Sequence, residues 1–451
     1  MVNSISIMGL GKLGAPLAAC FAASGFRVTA VDTDPKKVEA INRGVPPIQE
    51  PGLAELIRES QGRLRATQDA AEAVTNSRVT FIVVGTPSEP DGGFSLRYVL
   101  PVCKAIGWAL GRKQEYHLVV LTSTVMPGST GGPVMSALEK ASGKRCGADF
   151  GLCYSPEFIA LGSVIRDFYN PDFLLIGESD TRAGQTLAEI YGRTCKNSPS
   201  IARMNFINAE ITKLAVNTYI TTKISFANML ARLCERLPEA DVDAVTGALG
   251  LDSRIGPKYL KGAISYGGPC FPRDNRALAA LAAQAGTSPE LPEAIDHFNR
   301  AQIHWLAELV KQHYAGGPVG ILGLTYKPNT DVVTESVGML LAQELSAANL
   351  PVVAYDPMAD GPRALASNEN TTFANSAEEC ISQSGVVVVA TPWQEFQKVS
   401  REDWARHSSP RVVIDCWGGL NQLEGTDGVQ YVRLGFGGKA ERPMSVTSGA
   451  R

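Results

Sequence analysis

No apolar stretch of this chain is long enough to span a bilayer, no two of its nine cysteines have Cys-x-x-Cys spacing, and neither sign of charge prevails. The first absence argues against membrane insertion. The second leaves neither a zinc site nor a disulfide framework. The cysteines, at 20, 103, 146, 153, 195, 234, 270, 380 and 416, are odd in number and scattered, as in a reduced, cytoplasmic protein. With 42 basic and 45 acidic residues the net charge is −3, so no global field favours nucleic acid or a membrane surface. An anionic ligand would need local cations. The first residues read directly as a strand, with no basic leader ahead of it. At 451 residues the chain exceeds one core, and two or three domains are expected.

Against that background one run stands out: Gly267-Gly268-Pro269-Cys270-Phe271-Pro272-Arg273-Asp274. Its glycines and prolines fix a rigid loop of little bulk, which a ligand can approach closely. A helical run follows from about Arg273, with Pro272 suited to its first position, and places the thiol beside a helix N-terminus where the dipole favours thiolate. A lone cysteine is more often a small core residue, but a core residue needs no such loop. Cys270 therefore reads as a nucleophile.

The N-terminal run Ile5-Ser6-Ile7-Met8-Gly9-Leu10-Gly11-Lys12-Leu13-Gly14 is a buried strand entering a glycine-rich turn. An alanine-rich helix (15–24) and a second strand, Val28 to Asp32, complete a β-α-β unit. Gly9, Gly11 and Gly14 have G-x-G-x-x-G spacing: tight turn, close approach of pyrophosphate, close packing of helix on strand. Asp32 ends the second strand, where its carboxylate can accept from ribose hydroxyls and repel a ribose phosphate. NAD is thus favoured over NADP. Strands at 79–84 and 117–121 run into Gly85-Thr86-Pro87 and Thr122-Ser123-Thr124, loops that line a cleft beyond the carboxyl ends of a parallel sheet. The expected cofactor contacts are Gly9, Gly11, Leu13, Gly14, Asp32, Lys37, Thr86 and Thr124.

The pattern then returns. Val319 to Leu324 resembles the first strand, Val352 to Pro357 the second, and Val386 to Pro392 answers Val83 to Pro87; Arg411 to Asp415 adds another strand. This second half lacks the full glycine fingerprint and so suits a different nucleotide. Between the halves, 203–312 is alanine- and leucine-rich and mostly helical. The fold expected is α/β, two doubly wound Rossmann-like domains joined by a long central helical region: 1–202, 203–312 and 313–437, with a disordered tail over 438–451.

In the central region Lys213 and Asn217, four apart, share one helix face and together can hold a developing oxyanion. Their apolar neighbours point to a buried helix. Glu157, in Ser155-Pro156-Glu157-Phe158 after a strand over 150–154, is a general acid or base if desolvated. Asp274 can accept from Lys213 or a water, or complement its own helix N-terminus. Arg254 and Lys258 flank a Gly-Pro turn and Lys327 stands at the mouth of the second domain. These cations suit a diphosphate, a solvated surface being the alternative.

Together these segments resemble the nucleotide-sugar dehydrogenases, the UDP-glucose and GDP-mannose 6-dehydrogenases, over nearly the whole chain from Gly9 to Asp415. The most specific pieces are Ser-Thr-Val at 123–125, Ser-Pro-Glu-Phe at 155–158, Lys213 with Asn217, 254–260, 267–274 and 323–331. The resemblance implies a four-electron oxidation of a sugar C6 alcohol, UDP-glucose foremost, with GDP-mannose or a UDP-N-acetylhexosamine as alternatives. It also implies roles: Cys270 traps the aldehyde, Lys213 and Asn217 stabilise oxyanions, Asp274 positions or deprotonates water, Glu157 is the acid/base and Thr124 holds a water. By the same likeness Phe158, Arg254, Lys258, Tyr259, Gly267 and Lys327 join Glu157, Lys213 and Asn217 around the nucleotide sugar, with Arg254 reaching a partner subunit's substrate. The central helices would form a homodimer. Three positions depart from the family pattern: Thr334 and Trp417 stand where arginines are usual and Leu161 where a glutamate is. Two other classes fit parts of the pattern, a single-hydride β-hydroxyacid dehydrogenase and a non-catalytic nucleotide-sugar sensor.

Overall fold

The computed structural model describes residues 2–366, 368, 370–407 and 410–438. The tail expected from 438 onward lies, beyond Gly438, outside the described residues. The chain divides into two compact units, Met1–Asn217 with Arg273–Glu290, and Thr218–Pro272 with Leu291–Arg451. The central helices are thereby shared out: the division falls inside the helix Phe206–Cys234.

The first unit holds an eight-stranded sheet. Its strands are β1 (Ser4–Met8), β2 (Arg27–Val31), β3 (Leu64–Thr67), β4 (Val79–Ile82), β5 (Leu118–Leu121), β6 (Gly151–Tyr154), β7 (Phe173–Glu178) and β8 (Ser200–Met204), in the order β3-β2-β1-β4-β5-β6-β7-β8. All neighbours are parallel except β6 and β7. β1, β4, β5 and β6 are buried along their whole length, as strands covered on both faces must be; the buried Ser6 of β1 is paired with Thr80 of β4 at 2.7 Å. The helix Gly14–Ala23 packs alanine-first against them. Its Phe21 centres an aromatic cluster, with ring centroids 4.9 Å from Phe81, 5.2 Å from Phe168 and 6.0 Å from Phe26. The sequence expected β1, β2, β4, β5 and β6 to within a residue or two; β3, β7 and β8 are additional.

The second unit carries β9 (Val319–Leu322), β10 (Val352–Tyr355), β11 (Thr371–Phe373), β12 (Val386–Val389), β13 (Arg411–Asp415) and β14 (Val429–Arg433). The order is β11-β10-β9-β12-β13-β14 with every pair parallel, the 3-2-1-4-5-6 arrangement of a doubly wound sheet, whose strand order reverses between β9 and β12. The glycine turn is present here after all, but split. A Cβ on Gly338 would lie 2.0 Å from Gly323 O, just as one on Gly14 would lie 2.0 Å from Gly9 O. Four residues (10–13) separate the first pair and fourteen (324–337) the second, which is why the spacing hid it. Asp356 takes the place of Asp32, but its carboxylate is buried and accepts from Leu324 N, Thr325 N, Thr325 Oγ1, Met358 N, Ala359 N and Trp393 Nε1. A carboxylate so fully paired has little left for a ribose.

The long helix exposes an apolar row, Phe226 (47% exposed), Met229 (44%) and Leu233 (53%), continued by Leu237 (50%) beyond its end. The spacing of the first three puts them on one helix face. Among the described residues no helix is long and apolar enough to cross a membrane.

Candidate active site

In the first unit the loop after β1 is shaped for close approach. Gly9 has φ +108°, and a Cβ there would meet Val83 O at 2.6 Å, whereas Gly11 faces open space. That open side, at the start of the helix Gly14–Ala23, is where backbone N–H groups can meet a pyrophosphate. Leu13 immediately precedes the helix and packs on the core. Asp32 Oδ2 accepts from Leu10 N (2.8 Å) and faces Lys37 Nζ at 3.4 Å, and its Oδ1 accepts from Asp34 N (2.9 Å). The carboxylate is thus oriented at the end of β2 with lone pairs to spare. The Lys37 ammonium beside it offsets part of the field that was expected to repel a ribose phosphate. The residues fit a dinucleotide.

The loops after β4 and β5 are tied together. Thr86 Oγ1 donates to Thr124 O (2.7 Å) and Ser123 Oγ to Val84 O (2.6 Å). Arg273, given no role from the sequence, donates from Nη1 to Thr86 O (2.9 Å) and stacks 4.3 Å over the Phe94 ring. Glu210, fully buried, accepts from Gly128 N (2.6 Å) and Thr130 N (2.8 Å), and so fixes the start of the long helix against the loop after β5.

Those anchors set the polar cluster. Lys213 and Asn217 are both 7% exposed, on the buried face expected of them. Lys213 Nζ donates to the main-chain oxygen of Glu157 (2.8 Å) and lies 4.6 Å from the centre of the Phe158 ring. Asp274 is buried in the first turn of the helix Phe271–Gln284, which begins two residues earlier than the sequence suggested. Its partner is neither Lys213 nor its own helix N-terminus alone: Asn217 Nδ2 donates to Asp274 Oδ2 at 2.6 Å. Among the described residues Asp274 Oδ1 accepts no hydrogen bond, and it lies 3.6 Å from Arg273 Nε, so it can still accept from a water. Burial pushes the Glu157 carboxyl up to about 7, the Lys213 ammonium pulling partly the other way. A carboxyl poised there can take or give a proton near neutrality.

The remaining candidates belong to the second unit. Cys270 is exposed and immediately precedes the helix Phe271–Gln284. The extended segment leading to it is held by two buried amides that sequence reasoning missed. Asn228 donates to Ile264 O (2.8 Å) and accepts from Ala263 N (2.9 Å); Asn299 donates to Tyr266 O (3.0 Å) and accepts from Tyr266 N (2.9 Å). Their signal was present, as amides on the buried faces of their helices. Phe271 then packs edge-on against Tyr266 (6.0 Å) and Tyr259 (6.4 Å). Tyr259 has φ +63°, uncommon for a bulky residue. Lys223 donates to Ile255 O (3.0 Å) and Gly256 O (3.2 Å), which pins the turn between Arg254 and Lys258. Both cations are exposed, and Arg254 is held by Asp252 (Nη2 to Oδ2, 2.6 Å). Lys327 is half-buried, on the 324–337 segment between Gly323 and Gly338.

Residues 3–195 match the NAD binding domain of the UDP-glucose/GDP-mannose dehydrogenase family, 207–301 its central domain and 320–422 its UDP binding domain. The chain belongs to that family. It is 37% identical to the UDP-glucose 6-dehydrogenase AglM of Haloferax volcanii, over 94% of this chain and 98% of that one. The GDP-mannose 6-dehydrogenase of Azotobacter vinelandii is 32% identical over 93% and 97%. A UDP-glucose dehydrogenase from Pyrobaculum islandicum superposes with a TM-score of 0.87 at 34% identity, covering 97% and 98% of the two chains. The chain is thus a nucleotide-sugar 6-dehydrogenase with an NAD-binding domain.

The three departures from the family pattern have definite places. Trp417 follows β13, half-buried, its indole N–H donating to Ala390 O (3.0 Å) just beyond β12, at the edge where nucleotides bind in doubly wound sheets. Thr334 is exposed and its main-chain oxygen accepts from Gly268 N (3.0 Å). Leu161 packs on the first unit's core, in a loop that Glu50 holds by accepting from Gly162 N (2.9 Å) and Val164 N (2.7 Å).

Proposed function

We propose that this protein oxidises the C6 alcohol of UDP-glucose to the carboxylate of UDP-glucuronate, in two hydride transfers separated by a covalent step on Cys270. The observation that carries the reading is one helix: exposed Cys270 sits at its start and Asp274, hydrogen-bonded to Asn217, in its first turn. NAD, when bound at Gly9–Gly14 and Asp32, takes up the hydride of each oxidation. The first step removes the hydroxyl proton, with Glu157 as base, and leaves an aldehyde. Cys270 Sγ adds to the aldehyde carbon as its oxygen gains a proton, giving a thiohemiacetal. Loss of the second hydride and of that proton leaves a thioester. Water, held by Thr124 and Asp274, adds to it, and the thiol departs as the carboxylate forms. Lys213 and Asn217 donate to the oxygen that carries negative charge at each addition.

In this reading residues 1–202 bind the cofactor, 313–437 the nucleotide diphosphate, and 203–312 pair two copies. Arg254, Lys258 and Lys327 hold phosphates, and Phe158, Tyr259 and Gly267 line the sugar. The exposed row Phe226, Met229, Leu233 supports a homodimer, since such a row is costly to leave in water. A cytoplasmic location fits a chain whose half-buried and exposed cysteines must stay reduced. UDP-glucose is preferred to GDP-mannose and the UDP-N-acetylhexosamines because the 37% relative is named for it and the GDP-mannose relatives reach 32–33%. A single-hydride β-hydroxyacid dehydrogenase would have no use for the second sheet or Cys270, and a sensor none for the Lys213, Asn217 and Asp274 cluster. Comparing kcat/KM for UDP-glucose, GDP-mannose, UDP-N-acetylglucosamine and UDP-N-acetylmannosamine tests the substrate. UDP-glucose should lead by about tenfold or more; a lead by any other sugar overturns this choice.

A further inference from the structure

Within the second unit the loop bearing Cys270 is seated on the segment 324–337 that splits the second glycine turn. A Cβ on Gly267 would lie 2.2 Å from Glu335 O, and one on Gly268 2.6 Å from the Tyr326 ring. Gly268 N donates to Thr334 O (3.0 Å). Bare glycines are therefore required here by contact with this segment, independently of any ligand. The segment is braced at both ends. Leu324 N and Thr325 N donate to Asp356, and Ser336 Oγ donates to Leu324 O (2.6 Å). Tyr326 N closes it onto Val332 O (3.0 Å). Asn329 (φ +62°) and Glu335 (φ +52°) hold backbone conformations that cost energy for residues with a Cβ, and Glu335 is the one whose oxygen Gly267 abuts.

Lys327 is the neighbour of Tyr326, and Cys270 is two residues beyond Gly268. With its ends fixed, the segment has little freedom to absorb a shift of Lys327 except through Tyr326 and the Thr334–Glu335 backbone. We propose that 324–337 is the link through which a diphosphate held at Lys327 sets the position of Cys270, with Tyr326 as the positioning residue on Gly268. The link rests on the reading of Lys327 as a phosphate ligand, but not on the oxidation chemistry. A ligand can act this way only if it binds one arrangement of the segment better than another.

The test uses the full-length enzyme, UDP as the probe, and the rate at which iodoacetamide alkylates Cys270, followed on its peptide by mass spectrometry. UDP carries no sugar C6 and so cannot react. Saturating UDP should change the wild-type rate by about threefold or more. Tyr326→Phe should keep that response. Tyr326→Ala should lose it while calorimetry still detects UDP binding, and Tyr326→Leu, a smaller perturbation, should reduce it. An unchanged wild-type rate with UDP bound overturns the link, and so does a response that survives in Tyr326→Ala, which would mean simple shielding of the thiol. Absence of UDP binding would overturn both the link and the choice of a uridine substrate. Normal NADH formation from UDP-glucose without the UDP response would sink the link alone.

Discussion

Asn217 Nδ2 donates to Asp274 Oδ2 at 2.6 Å, and both side chains are buried, at 7% and 1% exposure. An acceptor-only carboxylate on one side decides which way the amide faces. One N–H is committed to Asp274, and in the proposed mechanism the other donates to the oxyanion, on the face Asn217 shares with Lys213. Asp274→Asn replaces that acceptor with a group that can also donate, so the amide loses its fixed orientation. We expect kcat to fall by about 100-fold or more with little change in thermal midpoint. Steady-state kinetics beside a melting curve check this.

The Glu157 carboxyl titrates at about 7 against an ordinary value of 4.5, chiefly through burial. As a base it must be ionised, so kcat/KM should rise with pH to a plateau with a midpoint near 7, and Glu157→Gln should abolish that rise. The stability consequence has the opposite sense. Between 4.5 and about 7 the unfolded chain has lost this proton and the folded one keeps it, so stability falls as pH rises through that window. The loss is on the order of 3 kcal/mol. Glu157→Gln should lack that component of the decline in urea unfolding measured at pH 5 and pH 8.

Asn299 satisfies both main-chain groups of Tyr266 from inside a helix. Asn299→Ala strands two buried backbone groups next to the cysteine loop. Each costs about 1–3 kcal/mol, and urea unfolding should show a loss in that range or above it.

Asp32 and Lys37 stand 3.4 Å apart. Removing the carboxylate in Asp32→Ala withdraws the proposed ribose acceptor and leaves the ammonium facing the same place. The kcat/KM for NAD should drop by about tenfold or more while that for NADP rises, since each lost charged hydrogen bond is worth roughly 1.5–3 kcal/mol. Initial rates with the two cofactors decide it.

The apolar row on the long helix gives a further outcome. If the proposed homodimer forms through this row, Leu233→Glu, at a position 53% exposed, should convert it to monomers in light scattering, with secondary structure intact.

What the sequence disclosed follows from the range over which each feature is written. Lys213 with Asn217, and Cys270 at a helix start, are local patterns, and the structure places them on a buried helix face and at a helix N-terminus. β1, β4, β5 and β6, buried along their length, were legible as strands, whereas β7, equally apolar and buried at its centre, was missed. β3 and β11 were not, because Leu64–Thr67 and Thr371–Phe373 are short, polar and only partly buried. The second glycine turn was hidden by the fourteen residues between Gly323 and Gly338. Glu210 with Gly128, Asn228 with Ile264 and Asp274 with Asn217 are pairs 36 to 82 positions apart, and no local spacing announces them.

A four-electron oxidation routed through a sulfur atom is measured most directly by counting NADH per nucleotide sugar consumed, in the wild type and in Cys270→Ala. The wild type should form two equivalents for each uronate released, and the variant should fail to complete the acid. A single equivalent from the wild type, or uronate from Cys270→Ala at an undiminished rate, would contradict the account.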